Sequence, residues 1–206
     1  LLLDLDVALE EPDPAGLAAL RCRLEADSGL GLGVLSGRGS RAAQWRYGEL
    51  HLPEPQVWIL EAGSEIRYGA EGERDDLWRS HIAAGWRRRA VEEALAGLAP
   101  RLELQADSQQ GEFKVSYLLR PPPEGVLAMV HRRLRQRQLA ARAHLSHHWY
   151  LDVLPVRASK AEAIRHLALR WSLPLDQVLV VSAQQGNGER LSGLGRGVVL
   201  GAAADL

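Results

Sequence analysis

Leu1-Leu2-Leu3-Asp4-Leu5-Asp6 is the stretch that decides the fold. An unbroken apolar run stopping on acids reads as a strand of a parallel sheet covered on both faces. Side chains alternate along a strand, so Asp4 and Asp6 point the same way from its end. One such carboxylate can attack a phosphorus centre while the other passes a proton to the leaving alcohol. A solvated loop can carry the same two acids.

Working outward, Ala15 to Asp27 places Leu17, Leu20 and Leu24 on one helical face. Leu32 to Leu35 reads as a second strand ending in Ser36-Gly37-Arg38, Ser40 to Tyr47 as a helix, and Val57 to Leu60 as a third strand. Glu61-Ala62-Gly63-Ser64-Glu65-Ile66 then reads as a hairpin-like turn. This β-α-β-α-β order predicts right-handed crossovers and a parallel sheet. In the middle, Leu77 to Leu98 reads as one long helix carrying Trp78, Trp86, Val91 and Leu95. Phe113 to Leu119 alternates as a strand, Pro121 to Pro123 marks a corner, and Val126 to Gln138 is an Arg-rich amphipathic helix. Ala141 to Leu145 and Trp149 to Leu154 are further strand candidates. The parallel pattern resumes with a helix over Lys160 to Trp171 and strands over Val178 to Val181 and Val198 to Leu200. The expected architecture is therefore an α/β core, residues 1–69 and 151–206, with an α+β cap inserted over 70–150.

The 206 residues are enough for a core domain with a smaller insert. Charged residues are 25% and apolar residues 46% of the chain, which is the balance of a globular protein and not of a disordered one. The 25 basic and 26 acidic side chains nearly cancel, which argues against nucleic acid as a partner recognised by bulk charge. Cys22 stands alone, so an intramolecular disulfide or a thiolate zinc cluster is excluded, and a reducing, cytoplasmic setting is expected. No apolar run approaches the roughly 20 residues of a membrane-spanning helix. The start on Leu1, directly in a strand, reads as a module of a longer chain.

Three further positions can handle an anion. Ser36 and the Gly37 amide, at the end of the second strand, can hold phosphate oxygens, although Ser-Gly-Arg is also an ordinary turn. Lys160 opens a helix, where a cation and the free amides together favour an anion. A solvated lysine is the other reading. Trp58 and Trp171 fit apolar patterns and read as core, while Trp78, Trp86 and Trp149 are candidates for a cleft wall. His147-His148 reads as an exposed pair, and Arg132, Arg133, Arg135 and Arg137 as the wet face of a helix or a docking surface.

The order of these pieces resembles the haloacid dehalogenase-like phosphatases. Whole segments are closer still. Pro55 to Gly69 with Gly63-Ser64-Glu65-Ile66, Trp78-Arg79-Ser80-His81-Ile82 with Trp86, Phe113 to Tyr117, and Leu151-Asp152-Val153-Leu154-Pro155-Val156-Arg157-Ala158-Ser159-Lys160 all resemble the sucrose-phosphate phosphatase family. They also resemble the phosphatase-like C-terminal module of sucrose-phosphate synthases. The resemblance implies Asp4 as nucleophile, Asp6 as acid/base, Ser36 as phosphate-binding hydroxyl and Lys160 as the third motif's cation. It implies Glu65 and Lys114 as sugar-holding residues, with Gly37, Gly63, Ser64 and Tyr117 beside the substrate. It also implies Mg²⁺ on Asp4 and Asp6, a glycosyltransferase domain in the same chain, and sucrose 6-phosphate or sucrose as ligand.

Two places depart from that pattern. Val7-Ala8 replaces a polar pair that helps bind phosphate. In the fourth motif, Gly-Asp-Ser-Gly-Asn-Asp becomes Ala183-Gln184-Gln185-Gly186-Asn187-Gly188, so Gln184 and Gly188 stand where the family has acids. Mg²⁺ requires hard, anionic oxygens, and the tight turn would re-aim Glu189, one residue past the motif. The chain thus reads as a phosphatase-like accessory domain of a sucrose-phosphate synthase with a degenerate site. The alternatives are an active magnesium-dependent sucrose-6-phosphate phosphatase and a ligand-free interaction scaffold.

Overall fold

The computed structural model describes residues 1–6, 13–98, 101–119, 125–146, 149–183 and 196–200. The chain begins with β1 (Leu2–Asp4), α1 (Pro14–Ala26), β2 (Gly33–Leu35), α2 (Ser40–Gly48) and β3 (Val57–Leu60). Asp13 caps α1, its carboxylate accepting from the Ala15 and Gly16 amides while Pro14 takes the first helical position. β1 runs parallel to β2, and β2 to β3, as the crossover order requires.

The expected turn after β3 proves to be more than a turn. A single 3-10 turn, Glu61–Gly63, leads into β4 (Glu65–Tyr68), which runs antiparallel to β3, and β5 (Glu73–Arg74) adds a further antiparallel edge. The sheet is therefore mixed, not purely parallel. Next come α3 (Asp76–Ala83) and α4 (Arg88–Ala96), where one long helix was expected. Gly85 adopts φ +78, the left-handed conformation that ends a helix, and Ala84 is already extended.

The insert continues with β6 (Leu102–Leu104), β7 (Val115–Leu119), α5 (Val126–Gln136), β8 (Ala141–Ser146) and β9 (Tyr150–Pro155). These strands form an antiparallel sheet in the order β6-β7-β9-β8. The chain closes with α6 (Lys160–Arg170), β10 (Leu179–Ala183) and β11 (Arg196–Leu200), completing a seven-stranded sheet in the order β11-β10-β1-β2-β3-β4-β5.

Elements at both ends of the insert reach the core of the large sheet. Trp78 and Ile82 of α3 belong to the first core, with Leu35, Ile59, Ile66 and Ile164, so α3 packs on the large sheet. β9 pairs along its whole length with β8 and over Tyr150–Val153 with β7, while its Leu154 packs into the first core. A second cluster, with Leu3, Val34, Tyr47, Trp58 and Leu60, fills the opposite face of the large sheet. The insert has its own core, in which Val91 and Leu95 of α4 and Val130 and Leu134 of α5 meet Val115, Leu151 and Val153. Trp171 was expected in the core but is 38% exposed at the end of α6. Among the described residues, no helix is long and apolar enough to cross a membrane. Pro121 to Pro123 and His147-His148 lie outside the described residues.

Candidate active site

Asp4 ends β1 and is 4% exposed. Lys160, the first residue of α6, sits opposite because Ser159 caps that helix, its hydroxyl accepting from the Glu162 amide at 3.0 Å. The Lys160 ammonium donates to both Asp4 oxygens, at 3.0 and 2.9 Å, and to Asp6 Oδ2 at 3.3 Å. Ser182, near the end of β10, donates to Asp4 Oδ2 at 3.1 Å. The sequence reading assigned Ser182 no role; parallel pairing of β1 with β10, in which Leu3 faces Val181, is what brings it there.

Asp6 fills the cradle expected for phosphate. Ser36 Oγ donates to Asp6 Oδ1 at 2.7 Å, the Gly37 amide donates to Oδ2, and Arg38 Nε stands 3.6 Å from Oδ1. Burial works to raise the Asp6 carboxyl, but Lys160, the Gly37 amide and the Ser36 hydroxyl outweigh it and hold the group below its ordinary value. Burial likewise works to lower the Lys160 ammonium, and the charges of Asp4 and Asp6 prevail and raise it. Asp4, Asp6, Ser36, Gly37 and Lys160 thus converge in one corner, the anion corner of the sequence expectation.

The residues that the resemblance places beside the sugar divide. Lys114, 3% exposed, reaches from the insert to the corner, donating to the Gly37 carbonyl at 2.9 Å. Arg88 fixes that approach by donating to the Lys114 carbonyl at 2.8 Å and to the Gly111 carbonyl. Glu65 is held by Arg67 at 2.8 Å and Arg74 at 3.2 Å. The Ser64 hydroxyl donates to the Glu61 carbonyl at 3.0 Å. Gly63 adopts φ +94, and a Cβ there would lie 2.2 Å from the Ser159 carbonyl carbon, so only glycine lets this turn press on the start of α6. Tyr117 does not join them. Strand alternation turns it with Val115 and Leu119 into the insert's own core, where burial and the nearby Glu92 push its hydroxyl up to about 12.

Glu61 is a second group that the sequence reading passed over. With Ser64, Glu65, Arg74, Trp78 and Phe113 it lines an open, shallow cleft beside the insert. Burial and the neighbouring Glu65 raise its carboxyl to about 7, against the opposing pull of Lys114, Arg74 and Arg67. The cleft meets the corner through the backbone, since the Glu61 and Ala62 amides donate to the Arg38 and Ser36 carbonyls at 3.0 and 3.1 Å.

Among the described residues, Asp4 and Asp6 are the carboxylates this corner offers a magnesium ion, and both oxygens of Asp4 already accept from Lys160. Among the described residues, no group of three or more His, Cys, Asp or Glu comes together to hold a metal. These donors alone do not fit Mg²⁺, which favours several hard oxygens in octahedral order. Val7, Ala8, Gln184, Gly188 and Glu189 lie outside the described residues.

Comparison with known proteins gives this geometry a family. Sucrose-phosphatase 1 of Nicotiana tabacum is 32% identical over 114 residues, 55% of this chain and 27% of that protein. The sucrose-phosphate synthase of Zea mays is 24% identical over 174 residues, covering 74% of this chain and 16% of that protein. The chain thus spans about a quarter or less of the length of these curated relatives. The crystal structure of the sucrose-phosphatase from Synechocystis sp. PCC6803, in complex with sucrose and phosphate, superposes with a TM-score of 0.80 at 26% identity, over 88% of this chain and 74% of that one. The architecture is that of solved haloacid dehalogenase-like hydrolases. Residues 1–206 match the sucrose-6F-phosphate phosphohydrolase family throughout, and the chain belongs to that family.

Proposed function

We propose that this chain is a phosphatase-like domain of a sucrose-phosphate-synthase type of protein, that it binds sucrose 6-phosphate or sucrose between core and insert, and that its phosphatase chemistry is degenerate. The observation that carries the reading is the 2.9 Å bond from Lys114 to the Gly37 carbonyl, which joins the sugar side to the anion corner in one site. The similarity to a sucrose-phosphate synthase supports a glycosyltransferase domain in the same protein, and the single cysteine supports a cytoplasmic setting. Two observations support weak chemistry. Gln184 and Gly188 replace the expected acids, so magnesium affinity is low. Asp6 is held below its ordinary pKa and is a poor proton donor to a leaving alcohol in this arrangement.

The second reading, an active sucrose-6-phosphate phosphatase, is favoured by the meeting of Asp4, Asp6 and Lys160 within hydrogen-bonding distance. Asp4 would then attack phosphorus and Asp6 would protonate the sugar oxygen that leaves. Phosphate release from sucrose 6-phosphate with saturating Mg²⁺ separates the two. The degenerate reading expects turnover far below the ordinary enzymatic range of about 1–10³ s⁻¹. Turnover within that range, abolished by Asp4→Asn, overturns it. Calorimetry with sucrose 6-phosphate should show binding that Lys114→Ala weakens. No heat at millimolar ligand would instead support the scaffold reading.

A further inference from the structure

Glu61 takes no part in the anion corner, yet the fold pays strain to keep it where it is. Glu61 and Ala62 adopt φ 52 and 58, a left-handed pair of non-glycine residues followed by Gly63 at φ 94. Such backbone persists only where the surroundings over-determine it, and here the bonds to the Arg38 and Ser36 carbonyls do so. The result aims the carboxyl across the seam at Gly111 of the insert. A Cβ on Gly111 would lie 2.0 Å from Glu61 Oε2 and 2.7 Å from Oε1, so the insert presents bare backbone to both oxygens.

Its partners set Glu61 apart from Glu65. Glu65 is bonded by two arginines, whereas among the described residues the Glu61 carboxyl makes no hydrogen bond or ion pair. The charged groups around it come from several neighbouring elements: Glu65 and Arg67 on β4, Arg74 on β5, Asp75 and Arg79 at α3, and Glu112 and Lys114 on the loop before β7. A confined carboxyl with open acceptor capacity, on the wall of a cleft that also holds Ser64, Trp78 and Phe113, has the chemistry of a polyol site.

We propose that Glu61 is a specificity-determining residue whose carboxylate accepts hydrogen bonds from hydroxyl groups of the sugar. The proposal rests on the sugar-binding reading above and assigns it a contact that pairs with no phosphate. Hydroxyl donors stabilise the ionised carboxyl, so binding expels the Glu61 proton, and affinity rises with pH through about 7 and then levels. Were only the ionised form competent, affinity would rise about tenfold between pH 6 and pH 8, following the ionised fraction.

The test is calorimetry of the full chain with sucrose, whose lack of a phosphate removes a competing titration. Wild type, Glu61→Gln and Glu61→Ala are compared at pH 6, 7 and 8 in buffers of different ionisation enthalpy. The expected result is affinity rising with pH and proton release in the wild type, a flat profile with retained binding in Glu61→Gln, and about tenfold weaker binding at pH 8 in Glu61→Ala. Binding of equal strength and equal pH dependence in all three proteins overturns the role of Glu61 and leaves the sugar site standing. Absence of sucrose binding in every protein at every pH overturns both.

Discussion

The anion corner and the seam use the same residue types and settle their charges in opposite ways. At the corner, Asp4 and Asp6 share Lys160, with Ser36, Gly37 and Ser182 completing the bonds. At the seam, Glu65 is paired with arginines, but the half-buried Glu61 beside it has, among the described residues, no partner for its carboxyl. Buried charges are tolerated when paired and hydrogen-bonded, and an unpaired one shifts toward its neutral form. The difference teaches that, among the described residues, the corner matches its charges internally, whereas the seam keeps one carboxyl without a partner, the group proposed above to meet the sugar.

The largest effect should come from breaking the corner. Lys160→Ala leaves the buried Asp4 and the partly buried Asp6 carboxylates facing each other without Lys160, and the expected loss is about 3 kcal/mol of unfolding free energy. Urea denaturation at neutral pH measures it. A loss below about 1 kcal/mol, the range of an exposed pair, would mean that the corner is not closed by Lys160 and that the contrast with the seam is false.

Gly63 joins the two regions, since it belongs to the seam turn and touches the backbone of Ser159 and Lys160. Gly63→Ala should cost roughly 2–4 kcal/mol, because a methyl group at φ +94 is strained and would lie 2.3 Å from the Lys160 amide nitrogen. The variant should also weaken phosphate binding by displacing Lys160. A stable Gly63→Ala with unchanged phosphate affinity would show that the turn does not position the corner.

The corner was legible in the sequence because its members sit at, or one or two residues past, the ends of regular elements. Asp4 follows an apolar strand, Ser36 ends the next one, and Lys160 opens a helix behind a capping serine. Ser182 was not legible, since a serine near a strand end is unremarkable until the β1–β10 register sets it against Asp4. Glu61 was hidden for a different reason: no propensity places glutamate at positive φ, and tertiary bonds to Arg38 and Ser36 impose it. The resemblance put Tyr117 beside the sugar, although alternation with Val115 and Leu119 turns it to the helices. Short edge strands such as Glu73–Arg74 are too brief for a period to register, and alternation along Tyr150–Pro155 could not say which sheet would take it.

The smallest effect is the one that compares the two regions by pH. Glu61 has a folded pKa of about 7 against an ordinary 4.5, so between those values the folded chain holds more protons than the unfolded chain. Its contribution therefore falls as pH rises from about 4.5 to 7 and is constant above. Asp6 is shifted the other way: its contribution is present above its unfolded value of 3.8 and is lost as pH falls through the lower folded value. Urea unfolding of the parent, Glu61→Gln and Asp6→Asn from pH 3 to pH 8 reads both. Relative to the parent, Glu61→Gln should gain roughly 1–2 kcal/mol across the upper window, a figure reduced from the full shift because solvent reaches the carboxyl. The Asp6→Asn deficit should shrink only on the acid side. A difference between Glu61→Gln and the parent that stays constant from pH 4.5 to pH 7.5 would mean that Glu61 is already paired, and the seam would then be as closed as the corner.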